Sequence, residues 1–229
     1  VRDSNGDSAP GTLTITVDDD TPVAKHDSAS VNEGEGQDFN VAFVVDFSGS
    51  IDNSELNLML TGVRNAAQQL FNATSGDVKV TFVAFSGTAT AYPAFTSFAA
   101  FDTFITSINP NQGGTRPFDG NTDFTAAVTT TMGSYVPLAG WSNQVFFLSD
   151  GNPNEQTGAG GNSLADATRP LWTAFVQGTN PVQPYPVNVT TVGIGNGIND
   201  QRLIDVDLDT NPVKTPVRAA TFQDVVTAL

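Results

Sequence analysis

The chain has 229 residues, with 9 Lys and Arg against 24 Asp and Glu, a net charge of −15, and no cysteine. That charge argues against nucleic acid and anionic membrane surfaces as partners, because both repel an acidic protein. The lack of thiols excludes disulfides and thiolate metal centres, and no apolar run is long enough to insert in a bilayer.

Thr12-Leu13-Thr14-Ile15-Thr16-Val17 alternates polar and apolar residues and reads as a half-buried antiparallel strand. Asp3, Asn5 and Asp7 precede it in a turn cluster, and Asp18, Asp19 and Asp20 follow it. Both sets offer hard oxygen atoms of the kind Ca²⁺ takes in flexible geometry. Residues 25–38 are polar and aperiodic, as a linker is. They hold His26, the sole histidine, which reads as a solvated side chain.

From residue 39 onward strands alternate with helices. Val41 to Val45 is apolar throughout and, closed by Asp46, predicts a central parallel strand over 41–46. Asp52-Asn53-Ser54-Glu55 is a capping box opening a helix with Leu56, Leu60, Val63, Ala67 and Leu70 on one face, ending near Asn72–Gly76. Val78–Phe85 is a second strand, and Thr88–Tyr92 a short edge strand. Phe98–Ile108 is a helix, Asn109–Gly114 a loop, and Thr122–Met132 a helix. Gln144–Ser149 is a third buried strand, ending at Asp150-Gly151. The Gly- and Asn-rich loop from Asn152 to Ser163 is expected to flank the same face as Asp150. Leu164–Val176 is expected to be helical with a kink or restart at Pro170. Val187–Ile194 is a strand, Asp200–Ile204 a short helix, and Phe222–Leu229 the start of a last helix.

This alternation predicts an α/β fold: a doubly wound, mostly parallel sheet with helices on both faces, plus the short N-terminal β segment. Such sheets bind ligands beyond the carboxyl ends of their strands, at the crevice where strand order reverses. Asp46 and Asp150 both close apolar strands at that end.

Three stretches carry further information. Asp46-Phe47-Ser48-Gly49-Ser50 places one carboxylate and two hydroxyls on a tight turn, a hard-oxygen set suited to Mg²⁺, Mn²⁺ or Ca²⁺. Phe147-Leu148-Ser149-Asp150-Gly151-Asn152-Pro153 supplies the second carboxylate. Two threonines compete for a place between them. Thr115 follows Gly113-Gly114 but precedes Arg116-Pro117 and no helical pattern. Thr122 stands directly before a helix and is preferred. Together the three stretches resemble the metal-ion-dependent adhesion site of von Willebrand factor type A domains, a Rossmann-like fold, over residues 39–229. The resemblance implies that Asp46, Ser48, Ser50, Thr122 and Asp150 hold Mg²⁺ or Ca²⁺, and that the metal accepts a carboxylate from a protein, peptide or glycan ligand. It implies binding without catalysis.

Residues 1–24 resemble the last strand of the immunoglobulin-like repeats of large bacterial surface adhesins. They read as the tail of a preceding repeat, with 25–38 as linker and the chain as a fragment. That context implies a module of a repeats-in-toxin-type adhesin, extracellular on the bacterial surface, beside neighbouring repeats, with further Ca²⁺ at the N-terminal acidic sets. Two alternatives are an intracellular assembly or chelatase-like subunit of the same family and a metal-dependent phosphatase. A haloacid-dehalogenase-like phosphatase uses Asp-x-Asp, and Ser48 stands where its second acid belongs. Ser50 has no evident base.

Overall fold

The computed structural model describes residues 4–6, 8, 36–212 and 214–225. The chain divides into a unit of residues 1–33 and one of residues 34–229. In the first, residues 4–6 form an exposed turn that includes Asn5, with Gly6 at φ +89°. Asp3, Asp7, the strand expected at 12–17, Asp18–Asp20 and most of the linker, with His26, lie outside the described residues.

The second unit runs β1 (Phe39–Asp46), α1 (Asn53–Ala73), β2 (Val78–Phe85), β3 (Ala89–Phe95), α2 (Phe98–Ser107), α3 (Phe124–Ser134), β4 (Ser142–Ser149), α4 (Arg169–Val176), β5 (Asn188–Ile194), α5 (Asp200–Ile204) and β6 (Val217–Ala219). The strands form a six-stranded sheet in the order β3-β2-β1-β4-β5-β6. Only β2 and β3 pair antiparallel within it. The chain winds outward from β1 to β3, then crosses back to β4 on the other side of β1. The switch point of a doubly wound sheet therefore lies between β1 and β4.

β1 shows why its apolar run sits at the centre. Val41, Phe43 and Val45 point into a core beneath α1 and α2, with Leu56, Leu60, Val63, Phe82 and Phe101. Ala42 and Val44 point into the opposite core with Phe85, Phe124, Phe147, Trp172 and Phe175. Successive strand residues face opposite sides, so a strand covered on both must be apolar at every position. Truncating a buried phenylalanine such as Phe43 costs about 3–5 kcal/mol.

The predicted elements match, with the following physical differences. Asp123, not Thr122, caps α3, accepting from the Ala126 amide at 2.9 Å, so Thr122 stands one residue before the cap. The helix expected from Leu164 begins at Arg169, and Pro170 sits in its first turn, where proline lacks no needed donor, instead of kinking it. The loop at 109–114 contains a 3₁₀ turn, Pro110–Gln112. β6 has only three residues, too few for its alternation to be read in sequence. Of the last helix, expected at Phe222–Leu229, the described residues form a 3₁₀ turn, Phe222–Asp224, followed by helical Val225, and residues 226–229 lie outside the described residues. The capping box of α1 forms as expected: Asp52 accepts from the Ser54 and Glu55 amides, and Glu55 accepts from the Asp52 amide.

Candidate metal site

Parallel pairing sets the first contact of the site. β1 and β4 run in register from Phe39↔Ser142 to Val45↔Leu148. One step further, Asp46 meets Ser149, whose hydroxyl donates to Asp46 Oδ2 at 2.5 Å. The other carboxylate oxygen, Oδ1, accepts from the Ser48 amide at 2.7 Å. Asp46 is fully buried. Burial pushes its carboxyl up to about 7, against the pull of the Ser149 and Ser48 hydrogen bonds and with a small push from Asp150.

The first loop then turns outward. Ser48 is buried and Ser50 exposed, and their hydroxyls lie 3.1 Å apart. Ser50 donates to Asp150 Oδ1 at 2.9 Å, which joins the first loop to the third. Desolvation raises the Asp150 carboxyl from its ordinary value, countered by the Ser50 bond and by the charge of Arg116.

Thr122 completes the cluster. It is buried, and its backbone is fixed by the third loop: its amide donates to Asn154 Oδ1 at 2.9 Å, and its carbonyl accepts from the Asn154 amide at 3.0 Å. A Cβ placed on Gly151 would lie 3.9 Å from both Ser50 Oγ and Thr122 Oγ1, so all three loops face one small space. Thr115 is elsewhere: it is exposed, and its amide bonds the Ser107 carbonyl at the end of α2. Asp46, Ser48, Ser50, Thr122 and Asp150 thus come together, and Thr115 does not.

Two contributors were missed in the sequence. Ser149 precedes Asp150 and reads there as strand end. Arg116 reads as a helix-breaking neighbour of Pro117, yet it donates to the carbonyls of Phe47 (2.8 Å), Ser48 (2.7 Å) and Ile51 (2.6 Å), and to that of Phe118 (2.6 Å). Nothing local announces contacts to residues so far away in the chain. The first and second loops also meet at Gly49, whose amide donates to the Gly120 carbonyl at 2.8 Å. A Cβ on Gly49 would stand 2.9 Å from Asp119 Oδ1, the end of an exposed side chain that has room to turn aside.

The loop from Asn152 to Ser163 is tied down at several points. Asn152 bonds Gly197 and Asn199, the Gln156 carbonyl accepts from Thr125, and Ser163 is buried against Asp205. Its first half packs on Thr122, as its expected place beside Asp150 requires.

Five oxygen-bearing side chains at one crevice suit a hard cation. Among the described residues, no three His, Cys, Asp or Glu side chains gather at metal-binding spacing. The set holds two carboxylates and three neutral hydroxyls instead. The ion pairs of the described residues lie elsewhere: Arg64–Asp102, Arg169–Asp205, Lys214 with Asp207 and Asp209, and Arg218–Asp200. A buried aspartate that no basic side chain neutralises fits a divalent cation as its counter-charge. No described helix is long and apolar enough to cross a membrane.

Comparison with known proteins agrees with this fold. Residues 40–228 match the model of the von Willebrand factor type A domain. No curated protein matches the chain. Among solved structures, proximal thread matrix protein 1 from the mussel byssus superposes with a TM-score of 0.61 at 16% identity, over 83% of this chain and 44% of that one. A further structure of that protein, described as having a zinc-occupied MIDAS motif, gives a TM-score of 0.60 at 16% identity over 84% and 46%. The pilus adhesin SpaC from Lactobacillus rhamnosus GG gives 0.57 at 16% identity over 85% and 30%. The chain therefore spans less than half the length of each of these proteins.

Proposed function

This chain belongs to the von Willebrand factor type A family, and on that premise we propose that it is a metal-dependent ligand-binding module. Asp46, Ser48, Ser50, Thr122 and Asp150 hold a divalent cation, Mg²⁺ or Ca²⁺, between three loops. The observation that carries this reading is the linked set at one crevice: the Ser50 and Thr122 hydroxyls both border Gly151, Ser50 also meets Ser48 and Asp150, and the Ser48 amide holds the buried, unneutralised Asp46. When bound, the cation supplies an open coordination position to a carboxylate of a partner.

The protein's own residues prepare that position. Ser149 and the Ser48 amide fix both oxygens of Asp46. Ser50 orients Asp150. Two carboxylates balance a divalent charge, and the three hydroxyls add donors without adding negative charge, so an incoming anion is not repelled. This chemistry holds a ligand and transforms nothing. A phosphatase of the Asp-x-Asp type would need an acid at Ser48, and the sole histidine, His26, falls in the linker stretch.

We place the module in a bacterial surface adhesin of the repeats-in-toxin type, extracellular, with a protein, peptide or glycan ligand. The strand-like stretch 12–17 and the resemblance of residues 1–24 to adhesin repeats support that setting, as does the fold shared with a pilus adhesin. Ca²⁺ is proposed to bind next to a preceding repeat at Asp3, Asn5 and Asp7, at Asp18 to Asp20, whose three adjacent carboxylates repel without a counter-ion, or at both sets. Small-angle scattering of a chain that includes that repeat tests this: equal interdomain spread in calcium and in chelator rejects it.

The site itself is tested by anomalous diffraction from crystals soaked in Mn²⁺. The expected peak lies among Asp46, Ser48, Ser50, Thr122 and Asp150 and vanishes in chelator. The absence of a peak among those five residues rejects the reading, whatever other sites take up Mn²⁺.

A further inference from the structure

The backbone of the first loop has two sides. On one, the Ser48 amide donates to Asp46 Oδ1 at 2.7 Å, turned toward the carboxylate. On the other, the carbonyls of Phe47, Ser48 and Ile51 converge on the guanidinium of Arg116, at 2.8, 2.7 and 2.6 Å. The fourth bond, from Nε to the Phe118 carbonyl at 2.6 Å, fixes the guanidinium to its own segment. Four of the five N–H groups of a guanidinium are thereby used, all in one plane.

This arrangement determines where the serine hydroxyls go. The peptide planes on both sides of Ser48 are held, one through its amide and one through its carbonyl. With those planes fixed, the direction of the Ser48 Cβ is fixed, and the carbonyls are kept away from the crevice. The 2.8 Å bond from Gly49 to Gly120 ties the same loop to the segment that Arg116 belongs to. Arg116 makes no hydrogen bond to the five site side chains; beyond its charge near Asp150, which lysine keeps, it acts on the crevice through the first loop.

We propose that Arg116 is a positioning residue for the metal site, holding Ser48 and Ser50 in a rigid arrangement that favours a small, octahedral cation over a large one. The inference rests on the proposed metal-binding reading and deepens it. Mg²⁺ demands near-ideal octahedral geometry at short distances, whereas Ca²⁺ accepts six to eight oxygens in flexible geometry. A rigid first loop therefore benefits Mg²⁺ more, and a loosened one penalises it more. Lysine keeps the charge but offers its donors from one point, so it cannot span carbonyls of residues 47, 51 and 118 together.

The test titrates Mg²⁺, and separately Ca²⁺, into chelator-stripped wild type, Arg116→Lys and Arg116→Met by calorimetry, with binding counted per folded molecule. Outer partners of metal ligands typically contribute about 10- to 100-fold in affinity. Both variants are expected to lose at least about 10-fold for Mg²⁺ and clearly less for Ca²⁺, so that the Mg²⁺-to-Ca²⁺ affinity ratio falls. If Arg116→Met does not fold, Arg116→Lys carries the test. An unchanged ratio, whether both affinities fall together or neither moves, overturns the proposal while leaving the metal site standing. Failure of the wild type to take up either metal overturns the site reading and this proposal with it.

Discussion

Replacing Asp46 with asparagine should stabilise the metal-free protein at alkaline pH while removing its metal site. The reasoning begins with burial. Asp46 is fully buried, and its carboxyl is pushed from 3.8 up to about 7 by desolvation. A folded-state value raised above the unfolded one means that the contribution is favourable below about pH 4 and is lost as pH rises through about 7. Three pKa units at about 1.4 kcal/mol each give a cost near 4 kcal/mol at pH 8 in the absence of a cation. Asparagine retains the geometry without that cost. Its oxygen accepts from the Ser48 amide, and its nitrogen donates to Ser149 Oγ. The Ser149 hydroxyl then turns to the Gly151 carbonyl, already 3.1 Å away. Urea unfolding in chelator should show Asp46→Asn more stable than wild type by roughly 2–4 kcal/mol at pH 8, with most of that gain gone by about pH 5. Saturating metal should reverse the order at pH 8, because only the wild type is stabilised by binding. The same stability difference at both pH values in chelator would refute the argument.

Lys214 lies 3.0 Å from Asp207 and also pairs with Asp209, both residues being 7% exposed. Lys214→Met leaves them without a cation and should lower stability by about 3 kcal/mol at neutral pH; a loss below about 1 kcal/mol by urea unfolding would show the pair to be solvated. Shortening the stretch from Thr157 to Gly161, beyond the residues that brace Thr122, should change which peptides or glycans bind on an array while Mg²⁺ uptake persists. Unchanged ligand preference with intact metal uptake would remove that loop from the specificity surface.

The sheet was legible because burial on both faces leaves a continuous apolar run, as in Val41–Val45 and Val145–Leu148, and because a capping box fixes where α1 begins. Asp46 and Asp150 could be placed together from topology alone, since both end strands that border the switch point. Thr122 could be preferred over Thr115 because a helix follows it. The remainder depended on contacts distant in sequence. The Ser149 hydroxyl matters through the β1–β4 register, and Arg116 through carbonyls 65 to 69 residues away. β6 owes its pairing to β5 rather than to its own three residues. Pro170 left a kink or a restart open, because a proline inside a periodic run allows either until the start of the helix is known; the structure shows the start.

Direct titration of Mn²⁺ into chelator-stripped protein tests the central claim most directly, comparing wild type with Asp46→Ala, Thr122→Ala and Thr115→Ala. The three-loop site predicts one strong equivalent in wild type and Thr115→Ala, none in Asp46→Ala, and binding weakened about 10-fold or more in Thr122→Ala. Loss of binding in Thr115→Ala with Thr122→Ala unaffected, or strong binding that survives Asp46→Ala, would contradict it.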